Sequence, residues 1–149
     1  MVIMEAMENL ADYIREQVKE YETETKAGKR PIAVYAGYPP VRDKPDAYDS
    51  FIYCCAKKFQ DTEDRLGVVD IEIGFSIYDN HPSEGWKSLY NLMEHVRQAL
   101  LRKRTLGKRN RLVLPMTGEI VEPQPYPQWQ ARMTVSYTIA QPEEEGTSW

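Results

Sequence analysis

The residue types that build active sites are scarce in this chain. Among 149 residues there are two histidines, far apart in the sequence, and two cysteines. Catalytic and metal sites usually need several His, Cys, Asp or Glu side chains that converge. The sequence also lacks a glycine-rich phosphate loop and the motifs GxSxG, HExxH and CxxC. Nothing in it supports catalysis, and we predict a protein that is not an enzyme.

Long apolar runs are absent as well. No run approaches the roughly 20 residues that span a bilayer, and Glu5 and Glu8 stand where a signal peptide would have Lys or Arg. We therefore expect the chain to stay in the cytoplasm. Its cysteines, Cys54 and Cys55, are neighbours, which fits poorly with disulfide geometry and predicts free thiols. A strand would place them on opposite faces, so we expect one of them to be buried.

A chain of this length makes one ordinary domain and can bury a core without disulfides or metal ions. We predict a single α+β domain over residues 1–141. Residues 142–149 begin with a proline and three glutamates, which predicts a short, flexible, acidic C-terminal tail.

The clearest strand signal is a period of two in the middle of the chain. Apolar residues alternate with mostly polar or small ones from Val69 to Ile77, which predicts a central strand over Val68–Tyr78. Ser83 is placed to cap a following amphipathic helix, Ser83–Arg104. The apolar residues of this helix recur at three- and four-residue spacing. They are Trp86, Leu89, Met93, Val96 and Leu100.

The same periodicities place the flanking elements. An amphipathic helix is predicted over Ile3–Thr25, and a short strand over Pro31–Tyr35 precedes a long, proline-rich loop, 37–46. A strand over Ser50–Phe59 is expected to form an antiparallel hairpin with the central strand.

After the central helix, two brief strands are predicted, Leu112–Leu114 and Gly118–Glu122, because Pro115 stops the first. The alternating segment Trp129–Ile139 predicts a closing strand that pairs with the central strand. Together the elements predict an α+β fold, in which a mainly antiparallel or mixed β-sheet packs against two long amphipathic helices.

Charge is distributed unevenly, although the net charge is only −4. Six of the nineteen basic residues lie in one ten-residue segment, and the remainder has thirteen basic against twenty-three acidic residues, a balance of −10. We name this set the basic turn: Arg102, Lys103, Arg104, Lys108, Arg109 and Arg111. Its simplest role is to complement the negative end of the preceding helix. The alternatives are contact with phosphates and contact with an acidic neighbouring subunit.

Two smaller features have a structural and a functional interpretation each. Asp79, His81 and Glu84 form a polar turn that caps the helix, or a weak cation site. The aromatic loops around Tyr35 and around Tyr126 are ordinary surface, or contacts between subunits, since Tyr and Trp are favoured at interfaces. The candidate interface residues in these loops are Tyr35, Tyr38, Tyr126 and Trp129.

Four stretches carry a family resemblance. They are YAGYPP from Tyr35, the strand and helix of IEIGFSIYDNHPSEGWKSLYNLMEHVRQAL, Leu112–Pro115, and PYPQWQARMTVSYTI near the C-terminus. With the order of elements, they make the chain resemble the tail terminator proteins of long-tailed bacteriophages and prophages, which are also called tail completion or minor tail proteins. The resemblance covers nearly the whole chain. It rests on layout and size, and no residue has a role assigned by a short signature.

The resemblance implies a structural virion protein, assembled in the host cytoplasm, that needs no cofactor. Its copies form a ring, usually a hexamer, on the end of the tail tube, stop the tube from growing and present a surface to the head connector. The partners would be itself, the tail tube protein, the head-tail connector protein and DNA in transit. A head-completion or connector protein of the same virion is an alternative. A small metal-dependent hydrolase or a nucleic-acid-binding domain is a second.

In such a ring the basic turn would meet either DNA or a neighbour. We favour the neighbour, because DNA has to move through the channel and each phosphate contact adds affinity that would hold it. Acidic residues of the first helix are the expected partners, namely Glu16, Glu20, Glu22 and Glu24.

Overall fold

The computed structural model describes residues 2–25, 28–40, 49–63 and 66–146. Its two helices are α1, Val2–Val18, and α2, Trp86–Arg102. Its strands are β1 (Glu22–Thr25), β2 (Gly28–Pro31), β3 (Ala33–Ala36), β4 (Phe51–Asp61), β5 (Leu66–Tyr78), β6 (Thr105–Leu106), β7 (Asn110–Ile120) and β8 (Gln128–Ala140).

Six strands form one mixed sheet that curves into a half-barrel, in the order β3-β4-β5-β8-β7-β6. Only β3 and β4 pair in parallel; the other neighbours are antiparallel. The remaining two strands, β1 and β2, form a separate antiparallel hairpin. The predicted hairpin of β4 with β5 is confirmed, and so is the pairing of β5 with β8.

One face of the sheet is dry, as the alternation in β5 and β8 predicts. The apolar residues of β5 from Val69 to Ile77 are at most 2% exposed, and those of β8 from Trp129 to Ile139 are at most 9% exposed. Directly opposed residues share a face, and Ile73 lies opposite both Cys54 and Met133. Both helices contact β8, and α2 also contacts β5. This face is therefore the core.

The predicted balance between helix and sheet is wrong. Both helices are short, with 17 residues each, and strands account for 45% of the chain. The fold is therefore a curved sheet that carries two short helices, and not a sheet packed against two long ones. The helical periodicity in each region is real, but α1 ends before its pattern of apolar residues does, and α2 begins three residues after and ends two residues before its predicted bounds.

Helix α1 ends at Val18, and the predicted continuation to Thr25 is a turn followed by β1. Thr23 and Thr25 favour a strand because their side chains branch at Cβ. At α2, the predicted cap Ser83 lies in a turn, the N-cap residue is Gly85, and no side chain caps the helix. Trp86 is 42% exposed and does not belong to the buried face.

Strand β7 is continuous where two strands were predicted. It passes through Pro115 because the pairing with β8 shifts between Val113 and Thr117, so the proline lies where no ladder hydrogen bond is required. The predicted loop 37–46 lies mostly outside the described residues, as do the last three residues of the predicted tail.

The helices lie side by side and antiparallel on the dry face. The Tyr13 hydroxyl donates to the Ala99 carbonyl at 2.9 Å, and the His95 ring contacts the Gln17 carbonyl at 2.8 Å. Helix α1 also covers β3, where the Arg15 guanidinium donates to the Val34 carbonyl at 2.7 Å. Within the described ranges, neither helix is long and apolar enough to cross a membrane.

Candidate assembly surfaces

All six residues of the basic turn are exposed, but they do not form one loop. Arg102 ends α2, Arg111 belongs to β7, and Lys108 lies in the tight turn between β6 and β7 with a positive φ of 68°. The Lys103 ammonium stands 5.3 Å from the centre of the Tyr13 ring. Over residues 2–25, 28–40, 49–63 and 66–146, none of the six forms an ion pair.

The basic turn is held against the middle of α1. The Asn9 amide donates to Asn110 Oδ1 at 2.9 Å, and the Asn110 amide donates to the Thr138 carbonyl at 3.0 Å. The expected acidic partners are distributed differently from the prediction. Only Glu16 lies in α1, where it pairs with Lys19, whereas Glu20, Glu22 and Glu24 follow the end of the helix.

The four aromatic candidates separate into surface and core. Tyr38 is 74% exposed under the Lys57 ammonium, and Tyr126 is half-exposed. Tyr35 lies in β3, half-buried beside the Phe51 ring. Trp129 is not in a loop.

The Trp129 side chain belongs to β8 and is only 9% exposed. Its indole N–H donates to the Asp79 carbonyl at 2.8 Å. Its assignment as an interface residue stays a prediction, although the ring packs in the core opposite Ile77 near the end of β5.

The turn with Asp79, His81 and Glu84 is built from its own hydrogen bonds. The Asp79 carboxylate accepts from the His81 backbone N–H at 3.0 Å and from the Ser88 hydroxyl at 2.6 Å. His81 Nδ1 accepts from the Glu84 backbone N–H at 3.0 Å. In the part of the chain that the structure describes, no group of three or more His, Cys, Asp or Glu side chains could hold a metal ion.

Both cysteines are buried, where only one was expected. Burial raises the pKa of Cys54 to about 12, so its thiol stays protonated at neutral pH. A protonated thiol inside the core is a poor nucleophile.

A surface that the sequence did not indicate lies along β7. Beyond β6, which covers only Asn110 and Arg111, no strand among the described residues pairs with the outer edge of β7. An edge of this kind presents unpaired backbone N–H and C=O groups to another strand. Leu114 is exposed on it, and Met116 and Ile120 are half-buried.

A groove of about 250 Å³ runs beside this edge, between α2 and β7. Its α2 wall is formed by Tyr90, Met93, Glu94 and Arg97. Its floor and other wall are formed by residues from Met116 to Ile120 and by Met133. Gly118 has no side chain to fill the groove, and a Cβ there would touch nothing closer than 3.4 Å. The groove is therefore apolar, open and bordered by a free strand edge.

The opposite side of the sheet has a second free edge. Strand β3 covers only Phe51–Cys54 of β4, so the distal half of β4, Lys57–Asp61, has a strand on one side only within the described structure. We call this half the β4 arm. All its residues are exposed, and Phe59 is 60% exposed.

A search with protein-family models and with curated proteins finds no match to this sequence.

Proposed function

We propose that this chain is a structural protein of the tail terminator class. In this role its copies form a ring on the end of a phage tail tube, stop the tube from growing and offer a surface to the head connector. The observation that supports assembly is the free outer edge of β7 beside an apolar groove. A monomeric protein usually blunts or covers such an edge, because it is a template for another chain.

The two free edges of the sheet support head-to-tail contact between copies. The sheet is a half-barrel with a free edge on each side, and the two edges differ in sequence. Unlike surfaces that meet head to tail generate a ring when the rotation between copies closes. The proposed location in the virion, at the junction of tail and head, and the proposed partners, the tail tube protein and the connector, come from the resemblance of the sequence to tail terminator proteins.

The first test is the mass of the purified protein. Size-exclusion chromatography with light scattering should give a closed oligomer, and electron microscopy should show rings. A protein that stays monomeric at the highest attainable concentration contradicts the proposal.

A second measurement tests the role. Tail tube subunits that polymerise in the presence of this protein should give shorter tubes, each with a ring at one end. A ring that binds the head connector and leaves tube length unchanged would assign the chain to the head side instead.

A further inference from the structure

We propose that the β4 arm of one copy adds as a strand to the free edge of β7 in the next copy, with Phe59 in the groove beside α2. This inference rests on the proposed function only in that it requires copies of the chain to assemble. It names the two surfaces that meet, and it fixes their register.

The two surfaces belong to the same face of the sheet. Phe59 lies opposite Val69, and Gly118 lies opposite Met133, and both partners belong to the dry face. A sheet that continues from β7 into the next copy's β4 keeps its faces, since side chains alternate with a period of two. Phe59 would therefore arrive on the side of β7 where the groove lies.

Shape selects one register along the edge. Gly118 is the position on the dry face of β7 without a side chain, and the groove passes over it. A Phe59 ring opposite Gly118 would cover the glycine and fill the groove, as aromatic residues do when they pair across strands with glycine. Burial of a largely exposed Phe side chain gives the contact its main driving force.

Charge agrees with the same register. In an antiparallel pair with Phe59 opposite Gly118, Lys58 lies opposite Glu119 and Gln60 lies opposite Thr117. Lys58 shares the wet face with Asp70, and Glu119 shares it with Arg132. Glu119 already pairs with Arg132 at 2.6 Å, yet its side chain is 66% exposed and open to a second cation. Opposite charges directly across two strands are favourable.

Strand direction is consistent with head-to-tail closure. From β4 through β5 and β8 to β7 every pairing is antiparallel, so β7 runs opposite to β4. A neighbour in the same orientation around a ring presents its β4 antiparallel to β7. The new pair then continues the alternation of the sheet.

The heights of the two edges also agree with a closed barrel. Phe59 is level with Tyr137 of β8, and Gly118 is level with Met133, four residues along the same strand. Four residues at about 3.4 Å each give an offset of about 14 Å along the strands. One copy spans three strand spacings from β4 to β7, and the contact with the next copy adds a fourth, each of about 4.8 Å. The corresponding strand tilt is about 36°, which lies within the range of closed β-barrels.

Cross-linking tests the contact directly. We would prepare Phe59→Cys and Gly118→Cys as separate proteins and mix them under mild oxidation, with both native cysteines left in place because they are buried. A disulfide-linked dimer should form in the mixture and not in either protein alone. Tyr126→Cys mixed with Gly118→Cys is the matched control, since Tyr126 is half-exposed but lies at the opposite end of the sheet from the arm.

The outcomes separate this inference from the proposed function. An oligomer of unchanged mass that forms no 59–118 cross-link overturns the inference and leaves ring formation standing. A dimer from Gly118→Cys alone means that two β7 edges pair with each other, which overturns it in favour of two-fold symmetry. A chain that never assembles overturns both.

A charge exchange gives a second readout that does not depend on disulfides. Lys58→Glu and Glu119→Lys should each weaken association about fivefold, because a favourable pair becomes a repulsive one. The protein with both changes should regain most of the lost affinity. Circular dichroism checks that each variant folds, and a double variant as weak as its parents would contradict the predicted register.

Discussion

The edge at β3 is covered by a helix, whereas most of the edge at β7 is free in the described part of the chain. Strand β3 has four residues, and α1 covers it with the Arg15 guanidinium on the Val34 carbonyl. Strand β7 has eleven residues, and beyond Leu112, whose N–H donates to the Arg104 carbonyl at 2.6 Å, no described strand pairs with its outer side. Proteins usually cover or shorten edge strands, and this chain does so at β3 but not at β7. The difference agrees with the proposed contact of the β7 edge with another copy.

The largest expected effect is the unfolding of the whole domain, which removes both edges at once. Ile73→Asp places an unpaired carboxylate on the dry face of the central strand, where Ile73 is fully buried. We expect a loss of more than about 4 kcal/mol in the free energy of unfolding, enough to unfold the domain. Chemical denaturation measures this loss, and Gln60→Asp on the exposed arm is the control. A folded Ile73→Asp protein would show that the dry face is assigned wrongly.

High pH should lower the free energy of unfolding through Cys54, which lies in the core next to the covered side of the sheet. Burial raises the pKa of this thiol from 9.0 to about 12, so the folded protein holds a proton that the unfolded chain releases above pH 9. The stabilisation is complete below pH 9 and declines as the pH rises towards 12. The loss is on the order of 2 kcal/mol by pH 11. Melting temperatures of Cys54→Ala should fall less steeply over this range than those of Cys55→Ala, and equal slopes would exclude Cys54 as the cause.

Opening the covered edge is the next test. Arg15→Met removes the charged donor from the Val34 carbonyl and should cost about 1–2 kcal/mol of stability. It should also raise light scattering on heating, because β3 becomes a free edge in addition to β7 and the β4 arm. Asp12→Asn removes only the surface ion pair with Arg15, which is worth little, and is the control. An increase in scattering for both variants would point to the loss of the ion pair and not to the edge.

The smallest expected effect concerns the basic turn. Replacing Lys108 and Arg109 with Glu should weaken oligomer formation by about 1 kcal/mol or less, and more at low salt, where exposed charges are screened least. Light scattering at two salt concentrations measures it, with Lys29→Glu as a control remote in sequence. An unchanged oligomer that no longer retains DNA on a gel would favour phosphate contact.

Much of the sheet could be predicted because its strands are strongly periodic. The dry faces of β5 and β8 alternate without interruption, so burial from Val69 to Ile77 followed from the sequence. Helix ends were not predictable in the same way. Apolar spacing continues past Val18 to Tyr21, but the turn after Val18 replaces the helix there.

The assembly surfaces were the least accessible to sequence reasoning. A free edge is defined by which strand is missing beside it, and no local pattern encodes that. Pro115 made β7 look like two short strands, although it stands where the ladder is already interrupted. At Trp129 two sequence signals disagree, because the residue type is favoured at interfaces while its place in the alternation of β8 predicts the buried position that the structure shows.

The irregularity in β4 determines where the arm points. Ala56 pairs with Ile71 and Lys58 with Asp70, so Lys57 is one extra residue against β5. Such a bulge bends its strand and increases its twist. Deleting Lys57 would leave Lys58 and Phe59 on their present faces and straighten the arm. In the proposed ring, a change of a single codon would therefore alter the angle between successive copies, and with it the circumference, while the residues that meet at each proposed contact stayed the same.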